Sequence, residues 1–99
     1  MYIYNVTISV EKDAHDEWIE WMRNVHIPDV MKTGCFVESR MLKVLNVEDE
    51  GVTYSVQYTF LEMDDMEEYK TKHAQRLQKD AMDKFKDKFV AFRTLLEIV

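Results

Sequence analysis

The chain has 99 residues, 46% of them hydrophobic and 12% aromatic, so it holds the material of a real core and is not disordered. Its net charge of −6 argues against a duplex-binding protein, which needs cations facing phosphates, and leaves a local basic patch open. The length predicts a single domain over residues 1–99, small enough that burial against a second subunit would stabilise it.

Tyr2–Val10 reads as the first strand. Tyr2, Tyr4, Val6, Ile8 and Val10 share one face and Ile3, Asn5, Thr7 and Ser9 the other, the period of two that marks a half-covered strand. The pattern leaves no room for a signal peptide before it. No apolar run approaches membrane-spanning length, and the lone Cys35 suits a reducing compartment, so the expected location is cytoplasmic with no membrane partner. A helix follows, with Asp13 as N-cap and Asp16 and Glu17 in the first turn, where the dipole favours carboxylates. Ala14, Trp18, Trp21, Met22 and Val25 form its apolar stripe. The helix is expected to stop before Pro28, because a proline pushes the preceding residue out of the α region. Pro28 then opens a short helical turn through Met31 that Gly34 closes.

Phe36–Leu45 reads as the second strand, with apolar residues on both sides. Phe36, Leu42 and Val44 share a face with Glu38 and Arg40; Val37, Met41 and Leu45 share the other with Ser39 and Lys43. Asn46–Gly51 is an acidic hairpin loop longer than a two-residue turn. Val52–Phe60 is the strongest strand: Val52, Tyr54, Val56, Tyr58 and Phe60 alternate with Thr53, Ser55, Gln57 and Thr59. A second helix, capped at Asp64 or Asp65, carries the stripe Met66, Tyr69, His73, Leu77, Ala81 and Phe85. Lys84, Lys86 and Lys88 complement its C-terminal dipole. Phe89–Ile98 is the last strand, with Phe89, Ala91, Arg93, Leu95 and Glu97 on one face and Val90, Phe92, Thr94, Leu96 and Ile98 on the other.

The order βαββαβ, with right-handed crossovers, puts both helices on one sheet face. It predicts a ferredoxin-like α+β sandwich: a four-stranded antiparallel sheet in the order 4-1-3-2. If Phe89, Ala91, Arg93 and Leu95 point to the uncovered face with Met41 or Leu42, that face has an apolar rim around a polar centre, which marks an interface. Two such sheets packed face to face make a dimeric α+β barrel. Its cavity would be lined by Asn5, Thr7, Ser55, Gln57 and Arg93. The expected partner is a second copy of the chain, and the expected ligand a small acidic or aromatic metabolite whose anion Arg93 holds. An ion pair of Arg93 with Glu97, Glu38 or a partner-chain carboxylate is the alternative.

Four segments carry a family resemblance: Y-N-V-T at Tyr4–Thr7, H-I-P at His26–Pro28, T-Y-S-V-Q-Y at Thr53–Tyr58 and D-K-F-V-A-F-R-T at Asp87–Thr94. Together they resemble the DUF4286 family of short bacterial proteins of unknown function, over nearly the whole chain. The resemblance implies the ferredoxin-like fold and brings no reaction or cofactor. More distantly the chain is similar to dimeric α+β barrel enzymes, including small monooxygenases, isomerases and haem-degrading proteins, some with a histidine close before a proline after the first helix.

His26 therefore reads either as an acid–base group or haem ligand, or as a histidine at a helix C-terminus held by the dipole. His73 reads as a hydrogen-bonded core histidine, His15 as solvated, and Cys35 as a buried, inert thiol. The histidines have no metal-ligand spacing, so no metal and no cofactor are expected. An RNA-recognition reading needs aromatics on the open face, where this chain has Ser, Thr, Gln and Asn, and is rejected. The expected function is a non-catalytic homodimeric module binding a small metabolite between its sheets. The alternative is a cofactor-free enzyme of the small monooxygenase or isomerase type with His26 as acid–base.

Overall fold

The computed structural model describes residues 1–46 and 50–99; the middle of the acidic connection expected over 46–51 lies outside the described residues. Four strands, β1 (Tyr2–Val10), β2 (Glu38–Lys43), β3 (Val52–Phe60) and β4 (Phe89–Glu97), form one antiparallel sheet in the order β2-β3-β1-β4. This is the expected order, read from the other edge. The two cleanest alternators take the centre, where they pair from Tyr2 opposite Phe60 to Val10 opposite Val52. Cross-strand partners share a face, so this register sets apolar beside apolar. Tyr4, Val6, Ile8, Val10, Tyr54, Val56, Tyr58 and Phe60 are all buried.

Helical segments cover that face. α1 (His15–Trp21) runs without interruption into a π-helical turn (Met22–His26) and then α2 (Ile27–Met31); α3 (Met63–Lys72) and α4 (Ala74–Lys84) follow β3. Trp18, Met22, Val30, Met66, Tyr69 and Leu77 join the strand residues in one core cluster. Removing each large side chain from water contributes about 1.5–3 kcal/mol.

Several local expectations give way to tertiary contacts. Asp13 does not cap α1: its carboxylate accepts from Lys88 Nζ at 2.9 Å, tying the helix entry to the start of β4. The cap of α3 is Glu62, which forms a capping box with Asp65, so the helix starts earlier than expected. The second helix also breaks at His73, whose backbone (φ −129°, ψ −34°) leaves the helical region. Beyond the break Ala74 and Leu77 are buried. In the lead-in to β2, Cys35 and Phe36 are both buried although adjacent, so the strand begins only at Glu38. Gly34, at φ 77°, closes α2 as expected. Gly51 is required where it stands: a Cβ there would lie 2.6 Å from the Val10 carbonyl oxygen.

Pro28 does not end the first helix. Ile27 keeps helical angles (φ −61°, ψ −45°), and its N–H reaches back five residues to the Met22 carbonyl. In a regular α-turn the proline ring presses on the carbonyl four residues back; the wider turn accommodates it. The same turn answers a second demand. Trp18, Met22, His26 and Val30 recur every four residues, and at 3.6 residues per turn such a row drifts by about 40° per step. The π-turn takes back part of this drift and keeps the row facing the sheet. Val25, expected on the stripe, is exposed instead.

Candidate functional site

The register of β4 decides where the site is. Arg93 pairs with Val6, Ala91 with Ile8 and Phe89 with Val10, all core positions of β1. Phe89, Ala91, Arg93 and Leu95 therefore lie on the helix side, and Val90, Phe92, Thr94 and Leu96 on the open face. The expected grouping of Arg93 with Asn5, Thr7, Ser55 and Gln57 is split by the thickness of the sheet. The alternation of β4 holds, but both of its phases are apolar, so hydropathy does not say which one faces the helices.

Asn5, Thr7, Ser55 and Gln57 do come together on the open face, as a hydrogen-bonded row. Asn5 Nδ2 donates to Thr7 Oγ1 (3.2 Å) and Thr94 Oγ1 (3.1 Å), and Asn5 Oδ1 accepts from Ser55 Oγ. Gln57 Nε2 donates to Ser55 Oγ at 3.2 Å. The guanidinium here is Arg40, whose Nη2 donates to Gln57 Oε1 at 2.9 Å. Leu42, Val90, Phe92 and Leu96 stand around this row; Val90 is 72% and Phe92 63% exposed. The polar centre with an apolar rim is present, but on β4 the rim uses the opposite set of residues.

On the helix side lies a cavity of about 260 Å³. Val6, Ile8, Trp18, Met22 and Val56 make apolar wall, and the polar side chains are Tyr4, Tyr58, Tyr69, His26, Gln78 and Arg93, with exposed Lys86 and Asp87 at the edge. Arg93 Nε donates to the Tyr4 hydroxyl at 3.1 Å, and Gln78 lines the same space. Burial pushes the Tyr4 phenol above its usual range, against the opposing charge of Arg93, so Tyr4 stays a neutral hydroxyl. Burial likewise raises Tyr58 and Tyr69. Among the described residues no carboxylate lies within ion-pair distance of Arg93. Glu38, one expected partner, is on the open face and accepts from Thr59 Oγ1 at 3.3 Å.

His26 enters this cavity from the π-turn, in the row of Trp18, Met22 and Val30. It is not at a helix end, since the helical segment continues to Met31, so the dipole reading does not apply. Its ring stacks on Trp21 with centroids 5.0 Å apart and planes 26° off parallel. Burial lowers its pKa below the ordinary 6.5; Asp29 and Asp80 oppose the shift and Arg93 adds to it. At pH 7 it is therefore a neutral imidazole, able to accept a proton or a hydrogen bond. The linkage has a definite sign. Above pH 6.5 His26 adds nothing to the pH dependence of stability; as pH falls below 6.5 the unfolded chain takes the proton first, and stability is lost until the lower folded-state pKa is reached. The urea midpoint is expected to drop between pH 7 and pH 5, and His26→Gln to remove part of that slope. An unchanged slope in the variant would show that His26 is solvated.

The other singled-out groups lie elsewhere. His15 is not solvated: its Nε2 is 2.7 Å from the Tyr54 hydroxyl and its Nδ1 2.9 Å from Asp16 Oδ1, because β3 brings Tyr54 under the start of α1. His73 is half-buried at the break between α3 and α4, near the Tyr69 ring. Cys35 is buried, with Sγ 3.5 Å from Glu68 Oε2; burial raises its pKa and the Glu68 charge adds to this, the setting of an unreactive thiol. No group of His, Cys, Asp and Glu among the described residues could hold a metal ion, and none of their helices is long and apolar enough to cross a membrane. Tyr4, Tyr69 and Gln78 did not stand out in the sequence, where Tyr4 and Tyr69 read as core. The available signal was chemical: a buried tyrosine needs a partner for its hydroxyl, and this core holds several.

The family model described as a domain of unknown function (DUF4286) matches residues 1–99. No curated protein matches the chain. Among solved structures, an ethyl tert-butyl ether d (EthD) family protein from Bacillus halodurans is 13% identical with a TM-score of 0.69, and the alignment covers 100% of both chains. A dimeric ferredoxin-like protein from an uncultured marine organism is 12% identical with a TM-score of 0.68, over 100% of this chain and 95% of the other. Another dimeric ferredoxin-like protein from an uncultured marine organism is 14% identical with a TM-score of 0.52, over 99% and 97%. At these identities the likeness is one of fold.

Proposed function

We propose that this chain, which belongs to the DUF4286 family, is a homodimer in which each protomer binds one small carboxylic acid with an aromatic or apolar body. The binding site is the helix-side cavity, not the space between sheets. One observation carries this reading: Arg93, with no carboxylate partner among the described residues, bonds a neutral tyrosine hydroxyl and shares with a neutral histidine a cavity whose wall includes Val6, Ile8, Trp18, Met22 and Val56. Such a guanidinium recognises a carboxylate by charge-assisted hydrogen bonds, while the wall takes the apolar body. The volume lies just below the about 300–1,000 Å³ of pockets for drug-sized ligands, which favours a small acid. Trp18 on the wall and Trp21 against His26 make intrinsic fluorescence a reporter. Saturable quenching by benzoate or phenylacetate, and none by benzyl alcohol, is the expected result. No saturable response to either acid at millimolar concentration overturns the reading.

The homodimer uses the open face. Its support is the exposed rim of Leu42, Val90, Phe92 and Leu96 around a polar centre, and the dimers described for two proteins of this fold. Light scattering after gel filtration should give twice the 11.9 kDa chain mass, and Phe92→Asp should return it to one chain. A monomeric wild type at micromolar concentration would sink this part.

The second reading keeps the same cavity and makes His26 an acid–base in a cofactor-free enzyme. Its support is that the imidazole is desolvated, neutral and shares the cavity with Arg93 and Tyr4. Turnover of quinols or of acids with an enolisable carbon would favour it only if His26→Ala abolishes turnover while acid binding persists.

A further inference from the structure

The helix-side cavity has a neighbour. A second space of about 240 Å³ adjoins it, and Tyr4, Tyr69, Gln78 and Arg93 line both. The unshared residues run in opposite directions from these four. Along β4 the first space has Phe89 and Ala91, and the second has Thr94 and Leu95. Along α4 the first has Ala81 and the second Ala74, with Gln78 between them. Residues common to two spaces, and intermediate in position on both elements, form the wall between them. Its substance is the Arg93–Tyr4 hydrogen bond, with the Gln78 side chain beside it on α4. Arg93 and Gln78 are long, flexible and on different elements, so rotamer changes open this wall without moving backbone. Each space alone is smaller than a usual small-molecule pocket; joined, they fall within the usual range of about 300–1,000 Å³.

Resting on the carboxylate-binding reading above, we propose that the two spaces are one channel, closed at mid-length by Arg93, Tyr4 and Gln78, and that its ligand is an arylalkanoic acid. The ring occupies the first lobe against Trp18 and Met22. The methylene chain passes the wall, and Arg93 leaves Tyr4 to follow the carboxylate into the second lobe, where Lys70 supplies a further cation. An acid as short as phenylacetate reaches only the wall. The lobes thus divide the labour: the first selects an apolar ring, and the second selects chain length.

Calorimetric titration of the full chain with phenylacetate and 4-phenylbutyrate tests this. The longer acid is expected to bind about tenfold tighter, through two further buried methylenes. Ala74→Phe, which fills only the second lobe, should remove that tenfold gain and leave phenylacetate binding unchanged. Should Ala74→Phe fail to fold, Leu95→Trp, at a half-exposed position on the edge strand, fills the same lobe from β4 and must give the same result. Equal affinity of the two acids for the wild type, or equal weakening of both by the filling substitution, overturns the channel and leaves the first-lobe site standing. If neither acid binds the wild type, the carboxylate-binding reading fails and the channel with it.

Discussion

Arg93→Met is expected to weaken phenylacetate binding by roughly 10- to 150-fold, corresponding to about 1.5–3 kcal/mol for hydrogen bonds to a charged group. The methionine keeps much of the arginine's aliphatic stem, so the apolar wall persists while the charge goes. Folding should change little: Arg93 is exposed on an edge strand, and its loss removes one hydrogen bond from the Tyr4 hydroxyl, about 1 kcal/mol. The dimer should also persist, because Arg93 lies on the helix side and the proposed interface on the other. Titration of wild type and variant, with light scattering on the same samples, checks all three. Weakened association with unchanged acid binding would mean that Arg93 serves the interface, as its assignment to the open face would have required.

That assignment shows where sequence reasoning stops. The central strands were legible because a single phase of each is apolar: Tyr4, Val6, Ile8 and Val10 against Asn5, Thr7 and Ser9 admit one orientation. From them and the element order, the antiparallel order β2-β3-β1-β4 follows. β4 offers Phe89, Ala91 and Leu95 in one phase and Val90, Phe92 and Leu96 in the other. An edge strand serving the core on one side and exposing apolar surface on the other looks the same whichever way it faces. The register against β1 resolves it, and with it moves Arg93 from one side of the sheet to the other. His26 illustrates a different limit. A short-range rule, that helices stop before proline, placed it at a helix end. The row Trp18, Met22, His26 and Val30 was visible in the sequence, and its spacing of four suits a turn wider than the α-helix. Taking the row as one face, and not as a drift, would have put His26 beside the core.

Trp18→Ala is expected to lower unfolding stability by about 3–5 kcal/mol, a large share of the 5–15 kcal/mol typical of a whole domain. Trp18 is only 1% exposed, and its ring lies 5.3 Å from that of Tyr54. Helix and sheet face meet at this side chain, and the Tyr54 hydroxyl is also held by His15 at the first residue of α1. Truncation leaves a hole that the rigid β3 surface cannot close, so the cost exceeds the lost transfer energy alone. The effect should reach the site as well. α1 and the π-turn are one continuous helical segment, so loosening its anchor frees the turn that presents His26. The urea midpoint of the variant, compared with wild type at one fixed protomer concentration, measures the first effect; the concentration must be fixed because a dimer's stability depends on it. Val25→Ala, an exposed position on the same turn, serves as control and should stay within about 0.5 kcal/mol. A Trp18→Ala loss as small as the control's would mean that α2 and its Val30 alone hold the segment to the sheet. The path from core packing through the π-turn to His26 would then be wrong.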